Sequence, residues 1–386
     1  MKILQIIDSV DPAGGGPIEV VRQFGVRLTN EGHQVEVASL DAPDSPHVAG
    51  FPLSLHSLGP MTLKYGFSPR LVPWLRTNAS RYDVVIVNGL WQYQGFGTWQ
   101  SLRYSSTPYV LWTHGMLDPW FKKQYPLKHL KKWMYWPWGE YRVLRDAGAV
   151  LFTCEEERRL ARSSFWLYRC NEVVCSYGTA GPKGDPESEL REFFAHYPEL
   201  QGKKLVLFMG RIHPKKGCDL MIDAFAKVLG QHNDWHLVIA GPDQVGWREQ
   251  LKERVAKLGV APRVLWTDLL GGAMKWGALR AAEIFILPSH QENFGLAVAE
   301  ALAVGVPTLI SNKVNIWREI EADGAGLVAA DDLEGTCGLL RSYLNLPVDA
   351  KIAMRHAARA CFEQRFEIKS ATRRLDAVLT NVIRVN

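Results

Sequence analysis

No run of about 20 apolar residues, the length that spans a bilayer, occurs in the 386-residue sequence, so a transmembrane helix is not expected. The opening Met1-Lys2-Ile3-Leu4-Gln5-Ile6-Ile7-Asp8 is too short in apolar residues for a secretory leader and lacks a small-residue cleavage site. It reads instead as a buried strand ending in an acid. Cysteine is sparse: Cys154, Cys170, Cys175, Cys218, Cys337 and Cys361 stand singly, with no Cys-x-x-Cys pair. That spacing excludes a zinc ribbon and a disulfide framework, and fits reduced thiols filling core space in the cytoplasm. The excess of positive charge is only +5, too little to imply a nucleic-acid partner. No self-similar period of a solenoid is present. The one glycine cluster, Gly14-Gly15-Gly16, lacks the third glycine of a dinucleotide fingerprint, because Glu19 stands there.

What is present is the balance of a globular chain, 47% apolar and 22% charged, long enough for two domains with a core each. Short apolar runs alternate with amphipathic stretches. Strands are predicted at Lys2–Ile7, Gln34–Ser39, Asp83–Asn88, Tyr109–Thr113 and Ala149–Thr153 in the first half. In the second half they are predicted at Lys204–Met209, Trp235–Ala240, Arg263–Thr267, Ile284–Pro288 and Thr308–Ile310. Such alternation predicts parallel sheets covered on both faces: two Rossmann-like, doubly wound α/β domains in tandem. The Gly- and Pro-rich stretch Tyr177–Pro186 reads as the linker, giving domains at 1–180 and 181–365 and a final amphipathic helix within 366–386. Ligands of such folds sit at the carboxyl ends of the strands, here in the cleft between the domains.

The second half carries the sharper pattern. In Pro288-Ser-His-Gln-Glu-Asn-Phe-Gly-Leu-Ala-Val-Ala-Glu300 a strand ends and a helix begins near Gly295. A glycine there lets a ligand approach the free N–H groups of the first turn, which with the helix dipole favour a phosphate. Glu292 and Glu300 flank that turn and could accept hydrogen bonds from sugar and ribose hydroxyls. Most glutamates on helix faces are simply solvated, but the small apolar neighbours Ala297, Ala299 and Ala301 make Glu300 semi-buried and in need of partners. Upstream, Gly210-Arg211-Ile-His-Pro-Lys-Lys216-Gly217 places two cations in a tight loop after a strand, where they can neutralise a leaving diphosphate.

Together these two segments resemble the donor-site signature of the GT4-type retaining glycosyltransferases of bacterial polysaccharide biosynthesis. The resemblance covers essentially the whole chain. It implies a GT-B fold, a nucleotide-diphosphate sugar as donor, no required cofactor or metal, and retention of anomeric configuration. Arg211 and Lys216 would hold the diphosphate, Glu292 the donor sugar and Glu300 the ribose. Phe294, Gly295 and Leu296 would contribute backbone N–H groups, while Leu269 and Leu270 would grip the base. Asp268 departs from the pattern, since a glycine is common there. In such proteins the C-terminal helix returns to the first domain, a role that Phe366–Ile383 fits.

The first half is less specific. Gly15 and Gly16 open a loop before a helix led by Pro17, and the resemblance brings them close to donor phosphate and acceptor. His114, followed by Gly115 at a strand end, is a catalytic candidate by the resemblance, which puts this side chain beside the donor sugar. Asp118 is either a further polar group of the site or a cap of the turn that follows. Asn88 and Ser176 depart from the family's usual histidine and asparagine, so acceptor identity transfers least. The basic, aromatic stretch Trp120–Trp138 has two readings. One is an interfacial helix in peripheral contact with the cytoplasmic face of the inner membrane; the other is a core helix with a solvated lysine edge.

The expected reaction is transfer of a hexose, with glucose from UDP-glucose first, to a glycan or lipid-linked acceptor in exopolysaccharide or envelope polysaccharide synthesis. The mechanism implied by the resemblance is front-side attack, in which the leaving phosphate takes the acceptor proton. The alternatives are a catalytically silent scaffold of a polysaccharide-assembly complex, and a nucleotide-sugar epimerase or a phosphorylase on the same fold.

Overall fold

The computed structural model describes Met1–Val385 and divides the chain into two compact units. The first unit comprises Met1–Gly178 together with the chain from Ile368 onward. Its seven parallel strands are β1 (Lys2–Ile7), β2 (Gln34–Ser39), β3 (Ser54–Ser57), β4 (Val84–Asn88), β5 (Tyr109–Trp112), β6 (Ala149–Phe152) and β7 (Glu172–Val174). They lie in the order β3-β2-β1-β4-β5-β6-β7. The central strands are near-continuous apolar runs because helices cover both faces: Ile3, Leu4, Val84–Val87, Val110 and Leu111 have no exposed surface. The order reverses direction between β1 and β4, so their carboxyl ends part and leave a crevice there.

Helix Ile368–Val385 belongs to this first unit and packs on helix Gly16–Asn30. Its buried residues Ala371, Leu375, Leu379 and Val382 recur at helical spacing on one face. The expected tail began two residues earlier, at Phe366. Residues Phe362–Phe366 instead form a π-helical turn that prolongs helix Val348–Cys361. Phe366 then packs edge-on against Phe294 of the second unit, ring centroids 5.5 Å apart at 82°. The linker likewise divides at Gly178/Thr179 rather than after residue 180.

The second unit, Thr179–Glu367, holds six parallel strands: β8 (Lys204–Met209), β9 (Trp235–Ala240), β10 (Val264–Thr267), β11 (Ala282–Leu287), β12 (Thr308–Ser311) and β13 (Gly326–Ala329). Their order is β10-β9-β8-β11-β12-β13, with the reversal between β8 and β11. Strand β11 starts two residues before the expected Ile284, and a register shift against β8 lies between Ala282 and Ile284. Among the described residues no helix is long and apolar enough to cross a membrane. Of the basic aromatic stretch, Trp136 is fully buried in the core of the first unit, whereas helix Pro126–Tyr135 has no fully buried residue.

Candidate active site

In the second unit the loop after β8 and the loop after β11 are stitched together by their backbones. Gly217 has φ +66°, and a Cβ there would come within 2.3 Å of the Pro288 carbonyl oxygen. The His290 N–H donates to the Lys215 carbonyl at 2.9 Å. Glu292 is pinned from the other side, its N–H donating to Lys313 O and its carbonyl accepting from Asn315 N–H, each at 2.9 Å. These backbone bonds fix where both side chains start. Lys216 Nζ closes on Glu292 Oε2, with only 14% and 19% of the two side chains exposed.

That pairing sets the electrostatics. Burial pushes the Glu292 pKa up, but the charge of Lys216, its hydrogen bond, and the nearby Lys215 and Arg211 together hold it below the ordinary carboxylate range. Burial lowers the His213 pKa, and Lys215, Arg211 and Lys216 lower it further, so this ring adds no positive charge at neutral pH. The exposed Arg211 donates through Nη1 to Gln244 Oε1 at 3.0 Å. Three cations thus surround one half-buried carboxylate, a surplus suited to a diphosphate.

The helix Leu296–Ala303 starts beside them. Gly295, at φ +77°, ends the preceding loop, and no side chain caps the helix. A helix start of this kind, three residues after Glu292, favours phosphate through its dipole and first-turn N–H groups. Phe294 is buried, so only its backbone is available to a ligand. Leu296 is half-buried. At the far end of the helix's first two turns, Glu300 meets Lys275 Nζ at 2.8 Å. Lys275 lies on helix Gly272–Ala281, just past Leu269 and Leu270, of which Leu269 is strongly exposed and Leu270 half-buried. Asp268 turns outward to Arg248 at 3.0 Å, and Arg248 also donates to the Gly241 carbonyl at 2.9 Å.

The first unit presents a separate set. At the carboxyl ends of β1 and β4 lies a cavity of about 300 Å³ lined by Asp8, Gly14, Asn88, Trp91, Gln92 and Met116. Burial raises the Asp8 pKa despite hydrogen bonds from backbone N–H groups and Gln92. Gly15 and Gly16 stand in open space at the start of helix Gly16–Asn30, where a Cβ on either would meet no other atom within 4 Å. His114 has φ +49°, and both its ring nitrogens are engaged within the unit. Nδ1 meets the Tyr177 hydroxyl and Nε2 lies 3.1 Å from Asn88 Oδ1. Burial pushes its pKa down to about 3, so the ring is neutral.

The loop around His114 is gripped by Glu157. Its carboxylate accepts from Thr113 Oγ1 (2.5 Å), Gly115 N–H (2.7 Å), Thr153 N–H (2.7 Å) and Thr153 Oγ1 (2.6 Å). Asp118 accepts the Trp120 N–H at 2.8 Å, which gives it the capping role. Sequence reasoning missed Glu157, Tyr177, Asp8, Lys275 and Gln244. Lys275 had one visible signal, a lone cation in the first turn after Gly271-Gly272.

Two family descriptions match the chain. Residues 15–178 match "Glycosyl transferase 4-like domain" and residues 191–358 match "Glycosyl transferases group 1". The chain is 28% identical over 267 residues to the lipopolysaccharide core biosynthesis mannosyltransferase LpsB of Rhizobium meliloti, covering 63% of this chain and 75% of that one. Other curated relatives match over shorter spans, 64% of the length of LpcC from Rhizobium leguminosarum at 26% identity. Among solved structures, Anabaena HepE in complex with UDP superposes with a TM-score of 0.79 at 16% identity, covering 99% of this chain and all of that one.

Proposed function

This chain belongs to the GT4-type glycosyltransferases and has the GT-B fold, and on that footing we propose that it transfers a hexose from a nucleotide-diphosphate sugar to a glycan or lipid-linked saccharide with retention of configuration. One observation carries the proposal: Lys216 closes on Glu292 beside the uncapped start of helix Leu296–Ala303. The diphosphate would lie over that helix start, neutralised by Arg211 and Lys216. Glu292 would then release Lys216 to the phosphate and accept hydrogen bonds from the sugar. Glu300, already oriented by Lys275, would take the ribose hydroxyls, and the backbone near Leu269 and Leu270 the base.

The acceptor hydroxyl oxygen bonds to the anomeric carbon on the face that the diphosphate leaves. The bond from carbon to phosphate oxygen breaks with its electron pair, and the departing oxygen takes the acceptor proton. Protein groups supply orientation and stabilise the charge on the leaving diphosphate, and the reaction needs no side chain as nucleophile. On the first unit, Asp8 and Trp91 offer a carboxylate and an aromatic face to a saccharide in the cavity they line. Gly15 and Gly16 keep the neighbouring loop open to it.

UDP-glucose is the donor of first choice, supported by the superposition on a UDP complex. A mannosyl donor such as GDP-mannose is the second reading, favoured by the likeness to a mannosyltransferase of lipopolysaccharide core biosynthesis. Slow hydrolysis of a panel of nucleotide sugars tests both. Nucleotide release from one donor, lost in Arg211→Ala and Glu300→Ala and unaffected by EDTA, is the expected outcome. Absence of hydrolysis and of saturable binding for every donor would overturn the proposal.

A further inference from the structure

Helix Pro126–Tyr135 is inside out for a helix of a water-soluble surface. Its apolar residues Leu127, Leu130, Trp133 and Met134 face outward, Leu127 being 78% and Met134 59% exposed. Two more indoles, Trp138 and Trp166, stand 69% and 64% exposed at its flank. The inward contacts are made by residues with polar ends. Lys132 Nζ sits 4.3 Å over the Trp91 ring, Tyr135 meets the Tyr65 hydroxyl, and His129 stacks on Phe165 at 4.9 Å. A surface helix normally turns its apolar stripe to the core, and a contiguous exposed apolar patch marks an interaction site. Between the helix and the segment Ser163–Trp166 lies an open groove of about 640 Å³.

The charge pattern chooses the occupant. From Trp120 to Gly139 the sequence has five lysines and no aspartate or glutamate. Lys128 and Lys131 are exposed along the helix and Lys122 on the short helix Trp120–Gln124 before it, while Lys132 is held inward. Indoles beside lysines and a short apolar stripe, with no acid among them, are the composition of a segment that lies in the headgroup layer of a bilayer. Trp favours that boundary because one edge is apolar and the other polar. The lysines match an anionic headgroup, attracted within a Debye length of the surface.

We infer that helix Pro126–Tyr135, with Trp138 and Trp166, docks the protein on the surface of an anionic lipid bilayer. The helix lies in the plane of the interface: Leu130, Trp133 and Trp166 enter the acyl boundary, and Lys128 and Lys131 contact the headgroups. Nothing in this docking requires the donor site, so it stands or falls separately from the transfer reaction.

The test is sedimentation of the full chain with vesicles of phosphatidylcholine alone and with an equal part of phosphatidylglycerol. Binding to the anionic vesicles, released by raised salt, is the expected result. Lys128→Glu with Lys131→Glu should weaken it roughly tenfold or more, and Leu130→Ser with Trp133→Ser should abolish it. Hydrolysis of a soluble nucleotide sugar should be unchanged in both variants, showing that they fold. The unaltered protein supplies a second measurement: its tryptophan fluorescence should be quenched by brominated acyl chains in anionic vesicles. Equal affinity for both vesicle types, equal binding by the variants, or absence of quenching would overturn the inference. So would a self-associated chain in solution that Leu130→Ser with Trp133→Ser dissociates, since the patch would then be covered by a second copy.

Discussion

Lys275 Nζ stands 2.8 Å from Glu300 Oε1, and the two side chains are 24% and 17% exposed. Removing the cation from a half-buried pair leaves the carboxylate without its partner and free to turn away. Lys275→Met should therefore raise the dissociation constant of the nucleotide about tenfold, about 1.4 kcal/mol. Glu300→Gln should do the same, and the double variant should lose less than the sum, because the two residues act as one. Calorimetric titration with UDP and GDP measures all three. Additive losses would show that Lys275 and Glu300 serve the ligand separately.

Arg211 and Lys216 differ in what holds them. Arg211 is exposed and bonded to a neutral amide, whereas Lys216 is tied to Glu292. Arg211→Ala should leave the Glu292 loop in place and lower turnover by about 10²-fold, with a smaller loss of nucleotide affinity. Lys216→Ala should lower both, because it also unbalances Glu292. Turnover and binding measured side by side separate the two, and an unchanged turnover in Arg211→Ala would remove that residue from the chemistry.

Gly217→Ala should cost about 2 kcal/mol or more, since it places a side chain at positive φ and drives it into the backbone. The collision is with a carbonyl, 2.3 Å away, which cannot swing aside as a side-chain tip would. Urea unfolding of the variant reports the cost. A stability equal to wild type would mean that the two loops are not locked together as described.

Glu140 gives the fold an inverse pH dependence. It is fully buried, and burial pushes its pKa from 4.5 to about 8 despite the Trp91 N–H bond and the charge of Lys132. Between those values the folded chain holds a proton that the unfolded chain releases, so this contribution is present below 4.5 and lost as pH rises through 8. His114 acts with the opposite sign. Its pKa falls from 6.5 to about 3, so its contribution is full above 6.5 and lost as pH falls toward 3. Glu140→Gln should gain stability relative to wild type as pH is raised from 5 to 8, read from urea midpoints at both values. A difference independent of pH would contradict the raised pKa.

The central strands were legible in the sequence because burial on both faces leaves an apolar run with clear ends; β1, β2, β8 and β9 match to the residue. The strands that escaped, β3, β7 and β13, are all at sheet edges. They are short and half-buried, as Ser54–Ser57 and Glu172–Val174 illustrate, so their patterns resemble loops. At the site, Arg211, Lys216, Glu292 and Glu300 were visible because glycines punctuate them at fixed spacing. Lys275 and Glu157 were not, because their partners lie 25 and more than 40 residues away in sequence and only the folded chain brings them together.

A side chain at Gly178 would strike the Ile368 backbone at 2.4 Å, and one residue further on, Thr179 and Glu367 run side by side as a parallel bridge. The second unit is thus an insertion whose entrance and exit share one doorway. Cutting there and joining Gly178 to Ile368 would restore a continuous first unit, with its final helix still attached, and release the second as a single uninterrupted chain. Each half of the molecule could then be made, titrated with its own ligand and recombined, something a simple cut in the linker would forbid.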